Sequence, residues 1–164
     1  MPQEPLPTIL PSPDDEIWMH RALELAAEAA AKGEIPVGAL IVHEGQVIAE
    51  SGNLKEANQD PIGHAELLVI RKASEVLARW RLSGCTLYVT LEPCTMCARA
   101  IIHARLDRVV FAATDPKAGA VHSLYQILQD PRLNHAPQVT AGVLQAEASG
   151  QLKKFFRGLR GKSE

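Results

Sequence analysis

An α/β fold, with helices packed on a central sheet that opens in a hairpin, is predicted from three observations. Strand-like and helix-like segments alternate along most of the chain. Two short apolar runs, 37–43 and 46–50, flank the turn-forming pair Glu44-Gly45. Two further runs, 85–91 and 108–113, are apolar enough to be buried strands, and a helical segment separates them. Such alternation indicates helices covering a sheet, and the hairpin makes the first pair of strands antiparallel.

Each element follows from local chemistry. Asp14 and Asp15, after Pro13, suit the cap and first turn of a helix through the Ala-rich stretch to Lys32, with Gly33 as its stop. Val37 to His43 and Gln46 to Glu50 read as the hairpin strands. Asn53 to Gly63 collects Asn, Asp, Pro and Gly and reads as a loop. Ala65 to Trp80 places Leu67, Leu68, Ile70, Val76 and Leu77 among Arg, Lys and Glu, the pattern of an amphipathic helix. Cys85 to Leu91 reads as a strand, Thr95 to Arg105 as a helix and Arg108 to Ala113 as a strand. A weaker strand is expected at Gln138 to Val143, before a closing helix from Ala146 to Leu159. No internal repeat is found.

Size and composition narrow the class. A chain of 164 residues suits one domain, residues 14–164, with 46% hydrophobic and 22% charged residues typical of a globular protein. No apolar run approaches the roughly 20 residues that span a bilayer. Residues 1–13 carry five prolines and neither Lys nor Arg, so they read as a disordered lead-in rather than a targeting signal. Three cysteines make no disulfide framework, and Cys94-x-x-Cys97 points to metal or redox chemistry in a reducing compartment, the cytoplasm. Cys85 reads as a small buried side chain. The net charge of −2 argues against bulk polyanion binding. A local footprint is still offered by Lys153, Lys154, Arg157, Arg160 and Lys162, interleaved with Phe155 and Phe156. The same segment also reads as the solvated face of a terminal helix.

His64-Ala65-Glu66 and Pro93-Cys94-Thr95-Met96-Cys97 carry the chemistry. Structural zinc takes four protein ligands, whereas catalytic zinc typically keeps three and leaves a position for water. His64, Cys94 and Cys97 supply three ligands, and Glu66 is a carboxylate not needed as a fourth. Pro93 suits a first helical turn and biases Glu92 toward extended backbone. Cys94 and Cys97, three apart on a helix, share a face near an N-terminus that favours thiolates. Two thiolates and a neutral imidazole cancel the charge of the ion, so the site can be buried. His64 and Glu66, two apart, face different ways, which leaves Glu66 to move protons as the general acid–base. Cys94-x-x-Cys97 alone also fits a structural half-site or a redox pair. His20, His43, His103, His122 and His135 are scattered and read as surface or packing residues.

The H-x-E and P-C-x-x-C pattern is the signature of zinc nucleobase deaminases. Further segments strengthen the likeness: Glu34 to Ala39, Asp60-Pro61, Leu87 to Cys94, Asp115 to Ala120, Asn134-His135 and Phe155 to Arg157. Together they resemble the bacterial tRNA-specific adenosine deaminases from about Trp18 to Arg160. The resemblance implies a three-layer α/β/α cytidine deaminase-like fold with a five-stranded mixed sheet, and a homodimer with one zinc ion per subunit. It implies conversion of adenosine to inosine at the wobble position of a tRNA anticodon, arginine tRNA being the expected substrate. It also implies that Asn53 contacts the flipped adenine and that Ala65 offers its backbone N–H near the base. Asp115 and Lys117 would engage the neighbouring nucleotide, Asp115 by way of a ribose 2′-OH, and Phe156 and Arg157 would support the anticodon loop. The family commonly has Pro-Thr-Ala where this chain has Pro61-Ile62-Gly63, which removes a hydroxyl and is expected to loosen the backbone entering the second helix. His122 stands where a small residue is common. The nearest competing reading is a zinc deaminase of a free base such as guanine or cytosine, and a more distant one is a non-catalytic zinc module that binds RNA.

Overall fold

The computed structural model describes residues 9–162. Helix α1 (Pro13–Ala31) has Pro13 in its first turn, where a missing N–H costs nothing. Its cap is Ser12, and the two aspartates lie in the first turn, where Asp15 Oδ2 accepts the Ser12 N–H at 2.8 Å. Strands β1 (Gly38–His43) and β2 (Gln46–Gly52) form the expected hairpin. Glu44 and Gly45 have φ of 51° and 75°, the left-handed pair that a two-residue hairpin loop requires.

Helix α2 (Ala65–Leu77), strand β3 (Cys85–Leu91), helix α3 (Thr95–His103) and strand β4 (Arg108–Ala113) follow. A single 3-10 turn at Ile127–Gln129 interrupts the long connection to β5 (Gln138–Ala141), and α4 (Gln145–Lys162) closes the chain. The sheet order is β2-β1-β3-β4-β5, with β1 antiparallel to both neighbours and β3, β4 and β5 parallel. This is the expected five-stranded mixed sheet.

Strand alternation separates two cores. Ala39, Ile41, Leu87, Val89, Val109 and Phe111 face α2 and α3. Leu40, Tyr88, Val110 and Ala112 face the opposite layer, where they meet Met19, Ala22 and Ala148 of α1 and α4. A period of two in each strand therefore feeds two helical layers.

Two helices stop short of expectation for one reason. Helix α2 ends at Leu77 rather than Trp80 because Ala78 turns left-handed at φ 52°, with the Ala78 and Arg79 N–H groups returning to Glu75 and Ser74. Helix α3 ends at His103 rather than Arg105, and Arg105 turns the same way at φ 59°. Helices commonly end in this conformation on glycine, and neither site carries one. Strand β5 stops at Ala141 because Gly142 turns at φ 84°.

Residues 1–8 of the expected lead-in lie outside the described residues. Ile9, which is described, donates its N–H to Val139 O at 2.8 Å on the edge strand β5. Among the described residues no helix is long and apolar enough to cross a membrane.

Candidate metal centre and active site

Two helix N-termini meet at one point. His64 is the N-cap of α2, Cys94 the N-cap of α3, and Cys97 the third residue of α3. Pro93 therefore precedes the cap instead of opening the helix. The reason lies in Cys94, which keeps an extended backbone (ψ 178°) and bridges to Gly119, so α3 starts only at Thr95. His64 Nδ1 lies 3.7 Å from Cys94 Sγ and 3.5 Å from Cys97 Sγ. The three ligand atoms are all within 4.8 Å of one another, so the group can hold a metal ion. All three cysteines are free thiols, with Cys85 buried in the core as expected.

The electrostatics are those of a site that wants a cation. A hydrogen bond from Cys97 holds the Cys94 thiol down at about 4, against the opposing effect of burial and with help from His64. The same hydrogen bond, together with burial, pushes Cys97 up. His64 is raised by its contact with Cys94. The positive ends of both helix dipoles point at these sulfurs.

Glu66, the second residue of α2, is 4% exposed. Burial pushes its carboxyl above the usual range, and it is in hydrogen-bond contact with Cys97. The structure thus turns the acid toward the ligand cluster. Asn53 Oδ1 accepts the Ala65 N–H at 2.8 Å. The donor expected to face a base is therefore engaged by the side chain expected to share that task.

The loop that enters α2 is not loose. Leu54 N–H donates to Gly63 O at 3.0 Å, and Gly63 N–H donates to Asp60 O at 3.1 Å. Gly63 is buried, and a Cβ there would sit 3.0 Å from the Leu54 carbonyl oxygen. The glycine that replaces the family's alanine allows this close approach. Glu34, itself buried, pins the same loop by accepting the Glu56 N–H at 2.5 Å.

Lys117, Phe156 and Arg157 come together from distant parts of the chain and line one groove with Leu152, Lys153 and Arg160. Lys117 is exposed, and Asp115 is half-buried beside it. Asp115 Oδ1 accepts the Lys117 and Ala118 N–H groups at 3.1 and 3.2 Å, so that oxygen shapes its own loop. The loop reaches the metal cluster through the Cys94–Gly119 bridge. Sequence reasoning assigned no role to Glu92, Gly119 or Ser123, which build this connection. An acid between Leu91 and Pro93 at the end of a buried strand was the available signal.

Comparison with known proteins agrees with this geometry. Residues 13–160 match the MafB19-like deaminase family. The tRNA-specific adenosine deaminase of Bacillus subtilis (strain 168) is 49% identical over 150 residues, 92% of this chain and 93% of that protein. The chain is a member of the tRNA-specific adenosine deaminase family. Its fold superposes on a solved structure from work on A-to-I editing by tRNA:A34 deaminases at the wobble position of transfer RNA. That match has a TM-score of 0.80 and 46% identity, and it covers 83% of this deaminase and 99% of the other chain. A guanine deaminase from Bacillus subtilis is also similar, with a TM-score of 0.59 and 44% identity over 60% of this chain and 64% of that one.

Proposed function

We propose that this deaminase hydrolyses the 6-amino group of adenosine at the wobble position of tRNA anticodons, giving inosine and ammonia. The observation that carries the reading is the basic, aromatic groove in which Lys153, Phe156, Arg157 and Arg160 of α4 meet Lys117, whose loop is tied directly to Cys94. A small free base needs no such groove. An unpaired loop nucleotide does, because it can splay out, stack on an aromatic ring and be extruded at low cost.

The ligand set fits zinc. Tetrahedral zinc, with Zn–S of about 2.3 Å and Zn–N of about 2.0–2.1 Å, sets sulfur and nitrogen about 3.6 Å apart. The two distances here are 3.7 and 3.5 Å. His64, Cys94 and Cys97 would hold the ion. When bound, zinc supplies a hydrolytic nucleophile by lowering the pKa of a water molecule to about 7.

The protein's own groups do the rest. Glu66 takes the proton released from water and passes it to N1 of the adenine ring. The C6–O bond forms as N1 is protonated. Glu66 then takes the proton of the new C6 hydroxyl and gives it to the amine, which leaves as ammonia when the C6–N6 bond breaks and the C6 carbonyl of inosine forms. A carboxyl raised by burial is better matched to giving and taking protons near neutral pH than an ordinary one. Asn53 meets the base through its side-chain NH2, because its Oδ1 is held by Ala65 N–H. Asp115 offers its second oxygen to a ribose 2′-OH, the group that distinguishes RNA from DNA. Phe156 stacks, and Arg157 and Lys117 neutralise phosphates.

A homodimer is part of the proposal, supported by a shallow depression on the outer face of α2 lined by Leu67, Ile70, Arg71 and Trp80. Trp80 is 57% exposed, which is unusual for so large an apolar side chain. Free thiols at the metal site suit the cytoplasm.

The test is inosine formation on an arginine tRNA anticodon stem-loop, run beside free adenosine, cytosine and guanine. Activity on the stem-loop alone is expected, as is its near-total loss in Glu66→Ala with one zinc retained per subunit. Turnover of a free base at comparable efficiency would move the chain to the competing class. Arg157→Ala should weaken stem-loop binding several-fold and lower the slope of log affinity against log salt by about one. An unchanged slope would remove Arg157 from the RNA surface.

A further inference from the structure

We infer that Glu92 is the positioning residue that sets the RNA-facing loop at its working height over the metal centre. The inference rests on the reading of Asp115 and Lys117 as RNA contacts. Glu92 follows β3 and lies two residues before Cys94, with 2% of its surface exposed. Its carboxylate accepts five hydrogen bonds, all from the loop that follows β4. Oε1 accepts Asp115 N–H at 3.0 Å and Ser123 Oγ–H at 2.5 Å. Oε2 accepts the N–H groups of Val121, His122 and Ser123 at 3.0, 2.8 and 3.0 Å. Three successive backbone N–H groups converging on one oxygen form an anion nest, so the buried charge is met by backbone dipoles.

Three backbone contacts place this anchor beside the ligands. Glu92 N–H donates to Ala113 O, and Ala120 N–H donates to Pro93 O, each at 2.8 Å. Cys94 bridges to Gly119. The loop therefore folds around one carboxylate whose own backbone leads into the metal helix. Gly119 is part of the fit, because a Cβ there would collide with the Glu92 carboxyl carbon and both its oxygens. Asp115 and Lys117 stand on the segment between the first of these contacts and Gly119. Their position relative to the metal is set by Glu92 and by the space that Gly119 leaves for it.

An interaction that places substrate-binding groups, without touching the reacting atoms, is felt in KM more than in kcat. Glu92→Gln replaces one acceptor oxygen with an NH2 that faces donors. It should raise KM for the anticodon stem-loop about tenfold, equivalent to one charge-assisted hydrogen bond. The value of kcat should stay within about twofold and zinc at one per subunit. Amide hydrogens of Val121, His122 and Ser123 should exchange faster than in the parent. Gly119→Ala displaces the same carboxylate and should give the same KM shift. The double variant should be no worse than the larger single change, since both break one set of bonds. Unchanged KM, a loss of kcat together with zinc, or additive effects in the double variant would each overturn the assignment. Where Glu92→Gln does not fold, Gly119→Ala alone carries the test. If the parent enzyme deaminates a base and not the stem-loop, the functional reading fails, while the exchange rates still report on the anchor.

Discussion

Glu66 and Glu92 are the same residue type, 4% and 2% exposed, on the two segments that bring together the candidate metal ligands. Burial acts on both carboxyls in the same direction, upward. At Glu66 burial dominates and the carboxyl is raised. At Glu92 the hydrogen bonds from Ser123, His122 and Asp115 overcome burial and hold the carboxyl below its ordinary range. Removal from water is therefore not what gives a buried acid its role. The number of donors aimed at it decides. A carboxylate with five donors is an anchor, and one left with few is able to take up and release a proton.

The same substitution at both positions sharpens this contrast. Glu66→Gln keeps the shape and removes the exchangeable proton, so kcat should fall by about 1,000-fold, within the range for general acid–base catalysis. KM and metal content should change little. Glu92→Gln should do the reverse, with KM rising and kcat holding. Steady-state kinetics on the stem-loop, with metal analysis of each variant, checks the pair. Collapse of kcat in both would mean that the two acids share one function, and the contrast would be void.

The acid proposed for catalysis was visible in the sequence and the anchor was not, for a physical reason. Candidate ligands for one metal recur at short, fixed spacings, so His64, Cys94 and Cys97 stand out within two brief segments, with Glu66 two residues after the first. The alternation of strands and helices likewise gave the order of elements, because each period reflects a buried face. The partners of Glu92 are backbone N–H groups, which every sequence carries and none reveals. The stops at Ala78 and Arg105 were hidden because their left-handed turns are made without glycine. The α4 side of the groove showed in its local run of basic and aromatic residues, whereas Lys117 was read only through family likeness, since it lies 40 positions from Arg157 and nothing local joins them.

Asp15 extends the comparison to a buried acid with a formal cation. It is 0% exposed, and it accepts two bonds from Arg108, at 2.8 and 2.7 Å, and one from the Tyr88 hydroxyl at 2.8 Å. Burial opposes ionisation here as well, but Arg108, Ser12 N–H and Tyr88 outweigh it and hold the carboxyl at about 2, against an ordinary 3.8. A depressed carboxyl contributes stability that is complete above the unfolded value and fades as pH falls through the folded one. Asp15→Asn should therefore cost on the order of 2 kcal/mol at pH 7. The gap between parent and variant should narrow from about pH 4 and nearly close by pH 2. Urea titrations across that range test it, and a gap independent of pH would show that hydrogen-bond geometry, not charge, does the work.

The smallest effect belongs to Ser123→Ala, which asks how the Glu92 anchor is divided. Ser123 is exposed and gives the carboxylate both its N–H and its hydroxyl, so the substitution removes one of five donors and leaves the backbone row intact. Because water can reach the site of the lost hydroxyl, no buried acceptor is stranded, and KM should rise only about two- to threefold. A rise matching that of Glu92→Gln would place the anchoring in a single hydroxyl. A small rise keeps it in the convergent N–H groups of Val121, His122 and Ser123, which side-chain substitution at those positions leaves in place.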